Sequence, residues 1–106
     1  MPEFAGRDWV MDELAGNDPA AVAEAAASLA RYSSHEWIGR VDVPTAVVIT
    51  EHDGLVPPHR QRRLAESIPG ALAIPIPGDH SVCVSAPRVF VPALLRALDH
   101  TTRRLT

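Results

Sequence analysis

The stretch VDVPTAVVITEHDGLVPPHRQRRLAESIPGALAIPIPGDHSVCV, residues 41–84, decides the fold. Within it, Thr45–Thr50 (TAVVIT) is short, almost wholly apolar and rich in β-branched side chains. A half-exposed strand alternates polar with apolar residues, so this run fits a strand buried on both faces, as in a parallel sheet. Glu51–Pro58 reads as a polar loop ending in a Pro-Pro pair, and His59–Ser67 as a helix that Pro69-Gly70 stops. Ala71–Ile76 (ALAIPI) is the second strand. Pro75 has no N–H to give to a ladder, which places it at a sheet edge or a strand end. The loop PGDHSVCVSA follows. Strand, helix and strand in succession imply parallel pairing through a right-handed crossover.

On the C-terminal side, Pro87 to about Leu105 reads as a closing helix. Phe90, Leu94, Leu95 and Leu98 form its expected buried face, with Pro92 in the first turn or at a kink. On the N-terminal side, Asp18-Pro19 is a helix start, since Asp accepts bonds from free backbone donors and Pro tolerates the first helical position. In the segment that follows, Val22, Ala25, Ala26, Leu29 and Tyr32 share one stripe at helical spacing, and Ser33-Ser34 end it. Trp9, Val10 and Leu14 suggest a short helical turn upstream. The expected organisation is therefore a helical segment, 1–40, ahead of a strand–helix–strand–helix portion, 41–106.

Composition excludes several classes of function. The formal charge of −3 over 106 residues lacks the concentrated basic face that nucleic acid requires. Arg60, Arg62 and Arg63 are the one local basic patch and read as a solvated helix face. No apolar run approaches the roughly 20 residues that span a bilayer. MPEFAGRDWVMDE has no basic segment followed by an apolar one, so a cytoplasmic location is expected. Cys83 is the single cysteine, which rules out an internal disulfide and fits a reducing compartment.

The chemistry lies in two loops. In an open α/β sheet, reactive groups gather at the carboxyl ends of the strands. Asp53 follows the first strand and His80 follows the second, so both loops leave the same end of a parallel pair. An aspartate so placed fixes the imidazole tautomer and stabilises the imidazolium, leaving the other nitrogen as a general base. The bland readings are that Asp53 caps the next helix and that His80 is a surface loop residue. A metal site built from His52, Asp53, His59, Asp79 and His80 is a further alternative. None of its spacings matches two histidines on one helical face. A nucleophilic Cys83 is also weighed, but between Val82 and Val84 it reads as a small buried hydrophobe. His52 and Asp79 orient the loops or face solvent. His35, His59 and His100 read as surface residues, and Trp9 and Trp37 as packed against the core, unless Trp37 lines a substrate pocket.

VDVPTAVVITEHDGLVPP resembles the α/β-hydrolase strand that delivers the triad acid, with Asp53 at the acid position. IPIPGDHSVCV resembles that family's last strand and histidine loop, with His80 at the histidine position. The order acid, histidine, closing helix is also the family's. The resemblance covers residues 37–106, and more weakly residues 8–37, as a helix returning from a lid. It implies an α/β fold and a serine hydrolase, esterase-like, acting on a small acyl substrate without a cofactor.

The chain departs from the family where the nucleophile belongs. No G-x-S-x-G, G-x-C-x-G or G-x-D-x-G occurs anywhere in the sequence. The expectation is thus the C-terminal portion of an α/β-hydrolase, inactive alone. The alternative is a non-catalytic binding or oligomerisation module. Two parallel strands leave apolar surface and a strand edge open, so self-association or a partner chain supplying the missing sheet is expected.

Overall fold

In the computed structural model, residues 6–103 are described. The chain divides into two compact units, Met1–Ser34 and His35–Thr106. The first holds α1 (Gly6–Ala15) and α2 (Pro19–Arg31). Asp18 caps α2 as its sequence requires, accepting a bond from the Ala20 N–H at 3.1 Å, with Pro19 in the first turn. None of the residues of α2 is buried. Around Trp9, where a short turn was expected, α1 is a full ten-residue helix.

The second unit runs through a 3₁₀ turn (Ile38–Arg40), β1 (Ala46–Thr50), α3 (Pro58–Ser67), β2 (Leu72–Ile76), α4 (Val82–Ser85) and α5 (Pro87–Arg103). It is a mixed α/β unit whose two strands pair in parallel, with Ala46 opposite Leu72 and Thr50 opposite Ile76. α3 crosses between them and ends in a tight turn. Pro69 and Gly70 occupy the turn's centre, Gly70 has φ 73°, and the Ala71 N–H closes onto the Ile68 carbonyl at 3.1 Å. The positive φ is a left-handed conformation that glycine adopts without steric cost.

Helices cover both faces of the sheet. Side chains alternate along a strand, so the even-numbered residues of β1 and β2 share one face. There Ile74, Ile76, Val82 and Ala93 form the core, flanked by Val48, Leu72, Val89 and Phe90. On the opposite face, Ile49 is buried, and so are Ala65 of α3 and the adjacent Ile68. This two-sided burial explains the lack of alternation in TAVVIT.

Several expectations fail in informative ways. Leu94, Leu95 and Leu98 are exposed rather than buried. α5 meets a sheet only two strands wide, and the contact is filled by Val89, Phe90, Ala93 and Ala97. At 100° per residue Leu94, Leu98, Val91 and Leu95 lie beside and beyond that contact, so the apolar face of the helix is wider than the sheet beneath it, and Arg88, Arg96, Asp99 and Arg103 share the remaining side. Pro92 sits inside α5 beyond its first turn and is exposed. Its missing N–H leaves the Arg88 carbonyl without a helical partner on a side that faces water. The loop after β2 contains α4, which no pattern in PGDHSVCVSA announced. Trp9 and Trp37 are exposed rather than packed in a core. The part of the closing helix expected beyond Arg103 lies outside the described residues.

Ile74, 3% exposed, and Leu95, 60% exposed, give a direct check of the core. Ile74→Ala should cost about 2–4 kcal/mol by urea denaturation, as for a buried aliphatic truncated to Ala. Leu95→Ala should change stability by less than about 0.5 kcal/mol.

Candidate active site

Backbone pairing continues past the strands and sets the site. The Glu51 N–H donates to the Ile76 carbonyl at 3.0 Å, and the His52 N–H donates to the Gly78 carbonyl at 2.9 Å. The loops are thereby stitched together just beyond the sheet, with Asp53 one residue and His80 two residues past that last bond. Gly78 is required here, because a Cβ would lie within 2.8 Å of the Val82 Cβ. The first turn of α4 therefore packs directly on the histidine loop.

Asp53 is buried, its side chain 3% exposed, and its two oxygens have separate partners. Oδ1 accepts the backbone N–H groups of Leu55 (2.8 Å) and Val56 (2.9 Å), which folds the loop leading to α3. Oδ2 accepts the Thr50 hydroxyl at 2.8 Å and lies 3.1 Å from His80 Nδ1. Burial pushes the carboxyl upward. The opposing bonds from Val56, Thr50, Leu55 and His80 outweigh it and hold the group well below the usual carboxylate range. An ionised carboxylate only accepts, so Nδ1 carries the hydrogen of this contact and Nε2 of a neutral ring is left as an acceptor. The His80 side chain is 57% exposed. It stands at the rim of an open depression of about 330 Å³, lined also by Val48, Val56, Cys83 and Phe90.

Two supporting residues escaped the sequence reading. Gln61 of α3 reaches back to the end of β1. Its Oε1 accepts the Thr50 N–H at 2.8 Å, and its Nε2 donates to the Thr50 hydroxyl (2.8 Å), the Val56 carbonyl (2.9 Å) and Asp53 Oδ2 (3.3 Å). Thr50 in turn joins strand, acid and helix. The signals were faint: one uncharged polar residue inside HRQRR, and one hydroxyl closing an apolar strand.

The other candidates fall elsewhere. His52 and His59 are exposed. Asp79 shapes its own turn, its Oδ1 accepting the Ser81 hydroxyl (2.7 Å) and N–H (2.9 Å). The Ser81 bonds lower its pKa, while burial and the Asp53 charge oppose them. Among the described residues, no three His, Cys, Asp or Glu side chains converge as metal ligands. Cys83 is exposed rather than buried. Because Val82–Ser85 is a helical turn, Val82 points inward and Cys83 faces out. Arg62 pairs with Glu51 at the surface, so the arginine patch is partly neutralised within the chain.

No protein-family model, curated protein or solved structure matches the chain. Among the described residues, no helix is long and apolar enough to cross a membrane.

The depressed pKa of Asp53 makes stability depend on acidity. The unfolded chain takes up the proton near 3.8 and the folded one only at lower pH. The contribution is therefore complete above 3.8 and is lost as pH falls through the folded value. Urea midpoints measured from pH 6 down to pH 3 should drop for the native chain and drop less steeply for Asp53→Asn. Parallel curves would count against this assignment.

Proposed function

We propose that the chain carries the acid and the histidine of an α/β-hydrolase-type catalytic triad acting on an acyl ester or a related small acyl substrate. The observation that supports this best is the 3.1 Å contact between His80 Nδ1 and a buried, ionised Asp53 at the carboxyl ends of two parallel strands. Asp53 keeps Nδ1 protonated and leaves Nε2 as the acceptor of a ring that lines the depression. In the proposed reaction, Nε2 takes the proton of an attacking hydroxyl as the acyl carbon–oxygen bond forms. Asp53 stabilises the imidazolium, and His80 then returns the proton to the departing alkoxide. In the second half-reaction Nε2 takes a proton from water as it attacks the acyl group; the bond from the acyl carbon to the nucleophile's oxygen then breaks, His80 returns the proton to that oxygen, and the acid leaves.

The attacking hydroxyl is not placed by an elbow motif within these residues, so this reading assigns it to a segment outside them. The resemblance of VDVPTAVVITEHDGLVPP and IPIPGDHSVCV to the family's acid and histidine segments supports the same assignment, as does the order of acid, histidine and closing helix. Exposed and held through Nδ1, His80 is oriented without being consumed by the fold.

The chain alone should hydrolyse p-nitrophenyl acetate no faster than its His80→Ala variant. Joined to a segment that supplies a G-x-S-x-G elbow, it should label with a fluorophosphonate. His80→Ala should then lower turnover by about 10³-fold, within the range typical of a positioned base. Asp53→Asn should also lower turnover strongly, because it inverts the tautomer preference. Turnover by the isolated chain that depends on His80 would refute the assignment of the nucleophile elsewhere.

A further inference from the structure

Gln61 is gripped by two backbone groups whose roles cannot be exchanged. Its Oε1 lies 2.8 Å from the Thr50 nitrogen, whose N–H only donates, and its Nε2 lies 2.9 Å from the Val56 carbonyl, which only accepts. The amide is therefore held one way round, because a flipped side chain would set donor against donor and acceptor against acceptor. Nε2 has two hydrogens. One goes to Val56 and the other to the Thr50 hydroxyl oxygen at 2.8 Å, with Asp53 Oδ2 the more distant acceptor at 3.3 Å.

This orientation sets the Thr50 hydroxyl. Its oxygen accepts from Gln61, and it has a single hydrogen to give. Gln61 Oε1 is 3.2 Å away and already takes the Thr50 N–H, whereas Asp53 Oδ2 is 2.8 Å away and charged. A bond to a charged acceptor is shorter and stronger than a neutral one, so the hydrogen points to Asp53. The same carboxylate oxygen lies 3.1 Å from His80 Nδ1. The hydrogens thus run one way, from Gln61 to Thr50 to Asp53, and meet that of His80 at Oδ2.

We infer that Gln61 is a positioning residue for the acid: by fixing the Thr50 hydroxyl as a donor, it keeps Asp53 Oδ2 an acceptor for His80. The route runs through Thr50. Val56 offers a competing one, since its N–H donates to Asp53 Oδ1 at 2.9 Å while its carbonyl holds Gln61. The charged groups about Asp53 are His80 and Asp79, both on the loop after β2, and α3 faces it with the neutral Gln61. Replacing Gln61 by another neutral side chain therefore changes hydrogen bonds at Asp53 without changing charge. The inference deepens the proposed function and rests on it for the role of the acid, but the coupling itself is read without turnover.

The test uses the full chain with ¹³C-labelled aspartate carboxyls, read by NMR at pH 3, with the amide spectrum as the check on folding. Thr50→Val keeps the side-chain shape without the hydroxyl. It should raise the ratio of protonated to ionised Asp53 about tenfold, as expected for one lost bond to a charged group. Thr50→Ser keeps the hydroxyl and should stay within about twofold of the native ratio. Gln61→Met should raise the ratio at least about threefold in the native background, and less than about twofold once Thr50→Val has cut the relay. No change in Gln61→Met would overturn the inference, and so would an equal factor in both backgrounds, which would assign the effect to Val56. A second reading at pH 6 needs no acid: the Thr50 hydroxyl proton should exchange with water at least about tenfold faster in Gln61→Met, and equal rates would also overturn the inference. Coupling in a chain that never supports turnover would sink the proposed function and leave this inference standing.

Discussion

The parallel pairing of β1 with β2 is the constraint on which everything else rests. Its register runs from Ala46–Leu72 to Thr50–Ile76, and the bonds at Glu51–Ile76 and His52–Gly78 carry it into the loops. Strands that run the same way release their loops at the same end. Antiparallel strands of this length would have left Asp53 and His80 about 17 Å apart, at opposite ends of the sheet. One geometric choice in the backbone thus brings Asp53 and His80 into contact. Gly78 and Val82 then fix how closely the histidine loop can lie against the start of α4.

Asp53 shows that a structural and a chemical role need not compete for one carboxylate. Oδ1 is spent on the loop, holding the Leu55 and Val56 N–H groups. Oδ2 faces the other way, toward Thr50 and His80. Burial alone would favour the neutral acid, and the bonds reverse that preference. The same bonds that order the loop therefore keep the charge that an imidazolium would need. Gln61 links α3 to this arrangement, so the crossover helix is tied to the site by its side chain as well as by packing.

The narrow sheet explains the surface of the unit. Two strands offer α5 one contact stripe, and small residues such as Ala93 and Ala97 fill it. The leucines of that helix that lie outside the contact are then left at the surface. α3 and α5 are placed to sandwich a strand, and β1 is covered on both faces as an interior strand would be.

Much of this was legible in the residues themselves. The unalternating TAVVIT, the stop at Pro69-Gly70 and the start at Asp18-Pro19 are local signals, because strand burial, turn geometry and helix capping act over a few neighbouring positions. The order strand, helix, strand implied parallel pairing, and with it the meeting of Asp53 and His80. What the sequence left open depends on contacts between distant segments. Which stripe of α5 is buried follows from the width of the sheet beneath it, so the apolar pattern alone pointed to the leucines and missed Ala93 and Ala97. The outward position of Cys83 follows from a helical turn seated on Gly78, and the roles of Thr50 and Gln61 arise only when α3 folds back over the end of β1. Periodicity reports the faces of an element, and tertiary packing decides which of those faces meets a partner.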